Sequence, residues 1–250
     1  MQPCTLCPRK CGADRTKTAG FCGAKSKIKI ARAALHMWEE PCISGTHAGL
    51  SFICGKLGDK DVCLTTCGIG KVNAALCTQN MINLCEVDAI INTGVAGGIR
   101  EDVSPGELVI ATDLVEHDMD TTHFGDPLGQ VPGMDVLAFP CDKALISHAK
   151  EAALNMDITA YAGRIVSGDQ FIASREKADF LYEQFGAYAC EMEGAAICHV
   201  CYVNRIPVVV IRAISDNARS GATIEYHTFI DRAASMSANL VLSLIQKAEY

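Results

Sequence analysis

Three acidic residues stand at the edges of apolar segments in the last quarter of the chain. Glu191 and Glu193 occur in Cys190-Glu-Met-Glu-Gly-Ala-Ala-Ile197, directly before a run of small residues. Asp216 closes the apolar run that starts at Ile206, within Arg212-Ala-Ile-Ser-Asp216. A carboxylate in such a setting is costly unless it binds or catalyses. The pattern predicts a site where one acid holds a polyol and another protonates a leaving group.

Glycine-rich segments supply candidate backbone contacts to a ligand. Asn92-Thr-Gly-Val-Ala-Gly-Gly98 and Cys67-Gly-Ile-Gly-Lys71 allow close approach of the main chain, although a plain turn explains each equally well. Neither has the spacing of a dinucleotide fingerprint or a phosphate loop. Gly168-Asp-Gln-Phe-Ile172 ends a predicted strand, where Phe171 is a candidate to stack on a purine or a buried core aromatic.

Continuous apolar strands alternate with amphipathic helices from Gly49 onward. This alternation predicts a three-layer α/β/α sandwich with a mixed central sheet that is covered on its faces. The first predicted helix runs from Lys71 to Leu84, and its periodicity points Val72, Ala75, Leu76, Met81 and Leu84 to the core. The segment 117–133 reads as a long polar loop of the kind that is usually functional or at an interface.

Composition limits the class of protein. The chain has 250 residues, 49% of them apolar, which suits one large domain with a small appendage. Because no apolar run reaches membrane-spanning length and the start is basic, we expect a cytoplasmic protein without membrane contact. Residues 1–32 carry eight Lys/Arg and one acid, whereas the rest is acidic and gives the overall charge of −7. The acidic body argues against nucleic-acid binding, and most of the fourteen cysteines read as reduced core thiols.

Read together, these motifs carry a family resemblance over about four-fifths of the chain. The span from Gly49 resembles the 5′-methylthioadenosine/S-adenosylhomocysteine nucleosidases of the nucleoside phosphorylase superfamily. The resemblance rests on the order and spacing of six segments: 67–72, 90–98, 117–120, 166–172, 190–197 and 212–216.

The resemblance implies a role for each matched residue. Asp216, helped by Ser215, is the acid expected to protonate adenine N7, and Glu193 is expected to bind the ribose hydroxyls. The substrate-binding set is completed by Ala96, Gly97, Phe171, Ile172, Glu191 and Met192. Protonation of the purine and a carboxylate beside an oxocarbenium-like sugar both lower the barrier to glycosidic cleavage.

The N-terminal segment, residues 1–47, departs from this family and precedes a nucleosidase domain at 48–250. It resembles the start of radical S-adenosylmethionine proteins of the pyruvate formate-lyase activating type, through Cys4-x-x-Cys7-Pro-Arg-x-Cys11 and 36–45. That family's Cys-x-x-x-Cys-x-x-Cys motif does not occur here, so radical chemistry is not expected. The nucleosidase family's opening Gly-Ala-Met-Glu-Glu-Glu, which carries its water-activating Glu, is absent; Glu40 is the candidate replacement, or a solvated acid.

The resulting expectation is an enzyme that hydrolyses 5′-thio-substituted adenosines, with 5′-deoxyadenosine as a further candidate substrate. A phosphorylase, or a catalytically weak adenine-nucleoside-binding module, is the alternative. No bound cofactor is required, although Cys4, Cys7, Cys11 and Cys22 are spaced closely enough to hold zinc. By resemblance the protein is expected to be a homodimer, with the loop around Phe124 near the partner's site.

Overall fold

A small antiparallel sheet opens the described part of the chain. This computed structural model describes the backbone of residues 41–47 and then residues 49–218 and 235–246. Strands β1 (Pro41–His47), β2 (Leu50–Leu57) and β3 (Lys60–Thr65) form the sheet in sequence order. Gly58, in the left-handed conformation at φ 64°, makes the tight β2–β3 hairpin. The end of the predicted N-terminal segment thus pairs with β2.

A six-stranded mixed sheet forms the centre of the molecule. Its strands are β4 (Ile90–Gly98), β5 (Leu108–Glu116), β6 (Phe139–Pro140), β7 (Ala160–Ser167), β8 (Ala189–Glu191) and β9 (Val208–Asn217). Their order is β6-β5-β7-β8-β4-β9, with parallel β5–β7, β7–β8 and β4–β9 pairs. An additional antiparallel pairing of β5 with β9 closes the sheet on itself.

Helices cover the sheet. They are α1 (Lys71–Cys85), α2 (Lys143–Asn155), α3 (Arg175–Phe185), α4 (Gly194–Asn204) and α5 (235–246). The side chain of Asp142 caps α2 by accepting from the Leu145 N–H at 2.9 Å, and Ser174 caps α3 through the Lys177 N–H. None of these helices, within the part of the chain that the structure describes, is long and apolar enough to cross a membrane.

The fold class expected from the sequence is confirmed, since a mixed sheet is covered by helices. The expected inward face of α1 is wrong for three residues: Val72, Leu76 and Leu84 are 78%, 46% and 52% exposed. The buried positions of α1 are instead Ala74, Cys77 and Thr78. Small side chains face inward because α1 packs closely on α4, which also presents small residues.

Candidate active site

Two parallel strands bring Asp216 against a glycine-rich backbone. Asp216 on β9 is opposite Gly97 on β4, at the carboxyl ends of both strands. It is 2% exposed, and Ser215 donates its hydroxyl hydrogen to Asp216 Oδ1 at 2.6 Å. A Cβ at Gly97 would lie 3.3 Å from Asp216 Oδ2, so the glycine leaves the space beside this carboxyl open. Ala96, 4% exposed, precedes it on the same strand.

The turn before α4 is organised by Glu191. Its carboxylate accepts hydrogen bonds from the N–H groups of Glu193 and Gly194 and from the Ser167 hydroxyl. It also forms an ion pair with Arg212, in which both side chains are 3% exposed. These protein donors occupy both of its oxygens. Glu191 therefore fixes the start of α4 from the inside.

Arg212 is a functional residue to which the sequence analysis gave no role. Its Nη2 donates hydrogen bonds to Glu191 and to Asn92 Oδ1, the latter at 2.8 Å, and lies 3.8 Å from Glu193 Oε2. A Cβ at Gly94 would collide with Nη1, so the first glycine of the β4 motif makes room for this side chain. Burial alone would lower the pKa of Arg212. The negative charges of Glu191 and Glu193 outweigh this effect, so the pKa is raised. The sequence feature that could have drawn attention to Arg212 is a single arginine within an apolar strand.

Glu193 meets the first turn of α1. Its Oε1 accepts a hydrogen bond from the Gly70 N–H at 2.9 Å, and its side chain is 17% exposed. Burial raises the pKa of the Glu193 carboxyl, and Arg212 opposes that rise without cancelling it. Arg212 precedes Asp216 by four residues, about 13 Å of extended strand. Asp216 thus lies on β9 itself, and Glu193 reaches the guanidinium of an arginine that is four residues earlier on that strand.

A second group of charges surrounds Lys71. Its ammonium donates to Glu116 Oε2 at 3.0 Å and to Asp118 Oδ1 at 2.6 Å. His199 Nδ1 lies 3.1 Å from Glu116 Oε1. Burial would raise the pKa values of both acids, but hydrogen bonds from His199 and Lys71 lower the pKa of Glu116, and those from Lys71 and the Asp169 N–H lower that of Asp118. The group ties β5 to α1 and α4.

The predicted purine-binding segment lies beside the same end of α1. Asp169 accepts from the Lys71 N–H at 2.8 Å and donates its own N–H to Asp118. Ile172 is buried in an apolar cluster, whereas Phe171 is 57% exposed. Met192 is half-buried between Glu191 and Glu193.

The remaining predicted site residues, Glu40, Cys4, Cys7, Cys11 and Cys22, lie outside the described residues.

A family model described as "Phosphorylase superfamily" matches residues 28–246, which include the closed mixed sheet and the carboxylates at its strand ends. The 5′-methylthioadenosine/S-adenosylhomocysteine nucleosidase of Staphylococcus aureus (strain bovine RF122 / ET3-1) is 42% identical, covering 91% of this chain and 99% of that protein. The chain belongs to the phosphorylase superfamily and, within it, to the 5′-methylthioadenosine/S-adenosylhomocysteine nucleosidases.

Solved structures agree with this assignment. The Neisseria meningitidis 5′-methylthioadenosine/S-adenosylhomocysteine nucleosidase, in complex with methylthio-immucillin-A, superposes with a TM-score of 0.84 at 36% identity. The match covers 89% of this chain and 96% of that one. The futalosine hydrolase of Helicobacter pylori also gives a TM-score of 0.84, at 32% identity, covering 89% and 95% of the two chains.

Proposed function

We propose that this protein hydrolyses the N-glycosidic bond of 5′-methylthioadenosine and S-adenosylhomocysteine, releasing adenine and the thioribose. One observation carries the proposal beyond family membership. Asp216, a buried acid with a hydroxyl partner, lies opposite Gly97, and Glu193, an acid of raised pKa, lies 3.8 Å from the guanidinium of Arg212, earlier on the same strip of β9. A nucleoside laid along this strip would meet one acid with its base and the other with its sugar.

Asp216 is assigned the proton that passes to adenine N7, with Ser215 orienting its carboxyl. The base departs as a neutral purine, and the sugar develops oxocarbenium character that the Glu193 carboxylate stabilises while binding the ribose hydroxyls. Phe171 is assigned to stack on adenine, Ile172 to contact its edge through the backbone, and Met192 to pack on the sugar. Ala96 and Gly97 form the floor of the site.

Glu191 and Arg212 are assigned a positioning role rather than direct contact with substrate. Glu191 already accepts hydrogen bonds from the turn and from Arg212. Arg212 in turn lies between Glu191 and Glu193. The pair therefore sets where the Glu193 carboxylate points and how readily it takes up a proton.

Water activation is assigned to Glu40, and no bound cofactor enters the reaction. Zinc at Cys4, Cys7, Cys11 and Cys22 stays a separate prediction about the N-terminal segment.

The decisive experiment compares product formation with and without inorganic phosphate. Adenine release from 5′-methylthioadenosine that proceeds equally in both, with free thioribose as the second product, supports the hydrolase. Strict dependence on phosphate, with a sugar 1-phosphate as product, would instead show a phosphorylase. Tight binding of the nucleoside without turnover would show a binding module.

The 5′ substituent defines the substrate range. The resemblance in fold to a futalosine hydrolase makes futalosine a substrate to test beside S-adenosylhomocysteine and 5′-deoxyadenosine. Ranking kcat/KM over this panel identifies the preferred 5′ group, and activity on 5′-deoxyadenosine would fit the radical-enzyme link implied by the N-terminal resemblance.

A cytoplasmic homodimer is part of the same proposal. The dimer is supported by an apolar groove between α1 and α4, which is lined by Val72, Ala75, Val200 and Val203. Phe124, in the neighbouring loop, is 83% exposed. Light scattering should give twice the mass of one chain, and Val203→Lys should reduce it to a monomer. The matched control is Leu154→Lys on α2, an apolar residue that is 78% exposed against 59% for Val203. A monomeric wild type would contradict the proposal.

A further inference from the structure

Three cysteine sulfur atoms meet at the end of α1 that is remote from the candidate active site. Cys54, Cys63 and Cys85 present sulfur atoms that all lie within 4.8 Å of one another. Cys85 Sγ is 3.0 Å from Cys63 Sγ and 4.0 Å from Cys54 Sγ. Lys71, in the candidate active site, begins α1, and Cys85 ends it 14 residues later. The cluster is therefore about 21 Å along the helix axis from that site.

The local structure explains why the sulfur atoms converge. Cys54 and Cys63 are directly opposite each other in the β2–β3 hairpin, so their side chains leave the same face. Cys85 is the last residue of α1, and Glu86 ends the helix in the left-handed conformation at φ 49°. Two independently folded elements thus point thiol groups at one place, on the wall of a cavity of about 520 Å³.

The cluster contains one disulfide and one free thiol in this structure. Cys54 and Cys63 are disulfide-bonded, and Cys85 is free. Reduction of that bond by a phosphine takes two electrons from phosphorus and two protons from water, leaves the phosphine oxide, and gives three thiols in the cluster. All three cysteines are half-buried, so water and small ions reach them without unfolding of the hairpin.

We propose that the reduced Cys54, Cys63 and Cys85 form a three-thiolate site for a thiophilic metal ion, with Zn²⁺ as the ion tested. Zinc takes cysteine sulfur at about 2.3 Å, which places neighbouring thiolates about 3.7–4.0 Å apart. The Cys54–Cys85 separation of 4.0 Å already meets this spacing. Opening the disulfide lets Cys63 move to a similar distance, by side-chain rotation within the hairpin.

Three protein ligands leave one coordination position open. That position is available to water or a small anion, as in zinc sites with three protein ligands. Binding releases three protons, one from each thiol, so the affinity for zinc rises with pH. The disulfide and the metal exclude each other, because a peroxide that oxidises the Cys54 and Cys63 thiolates by two electrons re-forms the S–S bond, is itself reduced to water, and releases the ion.

The first test uses the wild-type full chain and requires no substitution. The protein is reduced with a phosphine, divided, and incubated with Zn²⁺ or with a chelator before alkylation and peptide mass spectrometry. Zinc is expected to slow alkylation of Cys54, Cys63 and Cys85 together by at least tenfold. Cys67 and Cys77 are internal controls, because they lie near the same cavity but outside the cluster. Alkylation of the three at rates unaffected by zinc would overturn the proposal.

The second test counts the metal. Cys85→Ser should bind one zinc ion per chain fewer than wild type, whatever the N-terminal cysteines hold, because zinc held elsewhere is common to both proteins. Cys77→Ser, in the same helix, is the matched control and should retain the wild-type count. Equal zinc content in Cys85→Ser and wild type refutes the site. So does a Cys54–Cys63 disulfide that resists reduction while the protein stays folded.

Discussion

Two groups of buried carboxylates in this molecule are built from similar residues but are balanced differently. At the end of β5, Glu116 and Asp118 share the ammonium of Lys71, and both of their pKa values are lowered. At the start of α4, Glu191 takes the close contact with Arg212, and Glu193, at 3.8 Å from it, keeps a raised pKa. In the first group the Lys71 ammonium lies within 3.0 Å of both acids, whereas in the second the burial of Glu193 outweighs its more distant cation.

This difference distinguishes acids that support the fold from an acid that we propose contacts the substrate. Both groups lie where strands or strand-following turns end, and both include an acid, a cation and backbone donors. What distinguishes them is whether the cation satisfies every acid at close range. Glu191 and Glu193 are two residues apart in sequence, yet by this criterion the first supports the fold and the second faces the proposed substrate. The following predictions test that distinction.

Asp216→Asn should give the largest effect. It removes the proton donor to the departing base, and general acid catalysis of this kind is worth roughly 10²–10⁴-fold in rate. We expect kcat to fall by about that factor while the Kd of a non-hydrolysable nucleoside analogue changes little. Adenine release and calorimetry measure the two quantities. A variant with wild-type kcat would remove Asp216 from the mechanism.

Glu191→Gln should damage the fold more than the substrate contacts. It leaves the Arg212 guanidinium buried beside a neutral amide, and breaking a buried ion pair from one side costs about 3–5 kcal/mol. Urea denaturation should show this loss in the free energy of unfolding. A Glu191→Gln variant that is as stable as wild type and shows only a raised KM would contradict the assignment of Glu191 to the fold.

Glu193→Gln should have the opposite profile. Its hydrogen bonds to the ribose hydroxyls are charge-assisted and are worth about 1.5–3 kcal/mol, so kcat/KM should fall by about 10- to 150-fold. Stability should stay close to wild type. With the 2′-deoxy analogue as a matched substrate, the wild-type preference for the 2′-hydroxyl should shrink in the variant. An unchanged preference would assign that contact elsewhere.

The same carboxyl should shape the pH profile. Glu193 binds hydroxyls as a carboxylate, and its raised pKa means that kcat/KM falls as the pH drops through a value above the ordinary 4.5. Arg212→Gln removes the charge that opposes protonation, so it should move this acid limb to higher pH. A limb at the same pH in wild type and Arg212→Gln would rule out the positioning role of Arg212.

The smallest expected effect concerns the Lys71 group and acid stability. Because the folded-state pKa values of Glu116 and Asp118 are lowered, their stabilisation is complete above the ordinary values of 4.5 and 3.8. It is lost as the pH falls through the folded-state values. Glu116→Gln should therefore flatten the decline of unfolding free energy below about pH 5. Equal slopes in wild type and variant would contradict this interpretation.

Local patterns were sufficient for much of this structure. The helix predicted from Lys71 to Leu84 forms α1, which ends one residue later, and the apolar run ending at Asp216 forms β9. The faces of α1 could not be assigned from hydrophobicity, because close packing on α4 selects small residues and leaves Val72 and Leu76 outside. The antiparallel β5–β9 pairing joins distant segments, which no local pattern encodes. Arg212 stands out locally as a lone arginine in an apolar strand, but no role could be assigned to it because its partners are remote in sequence.

The collision between a side chain at 94 and the guanidinium of Arg212 has an evolutionary consequence. A side chain at position 94 is tolerated only in relatives that lack the arginine at position 212, and an arginine at 212 requires glycine at 94. In an alignment of relatives, the two positions should covary as one inherited unit, whatever 5′ group each enzyme accepts. Gly94, in the glycine-rich segment, would then be required by the packing of Arg212 rather than by contact with a ligand.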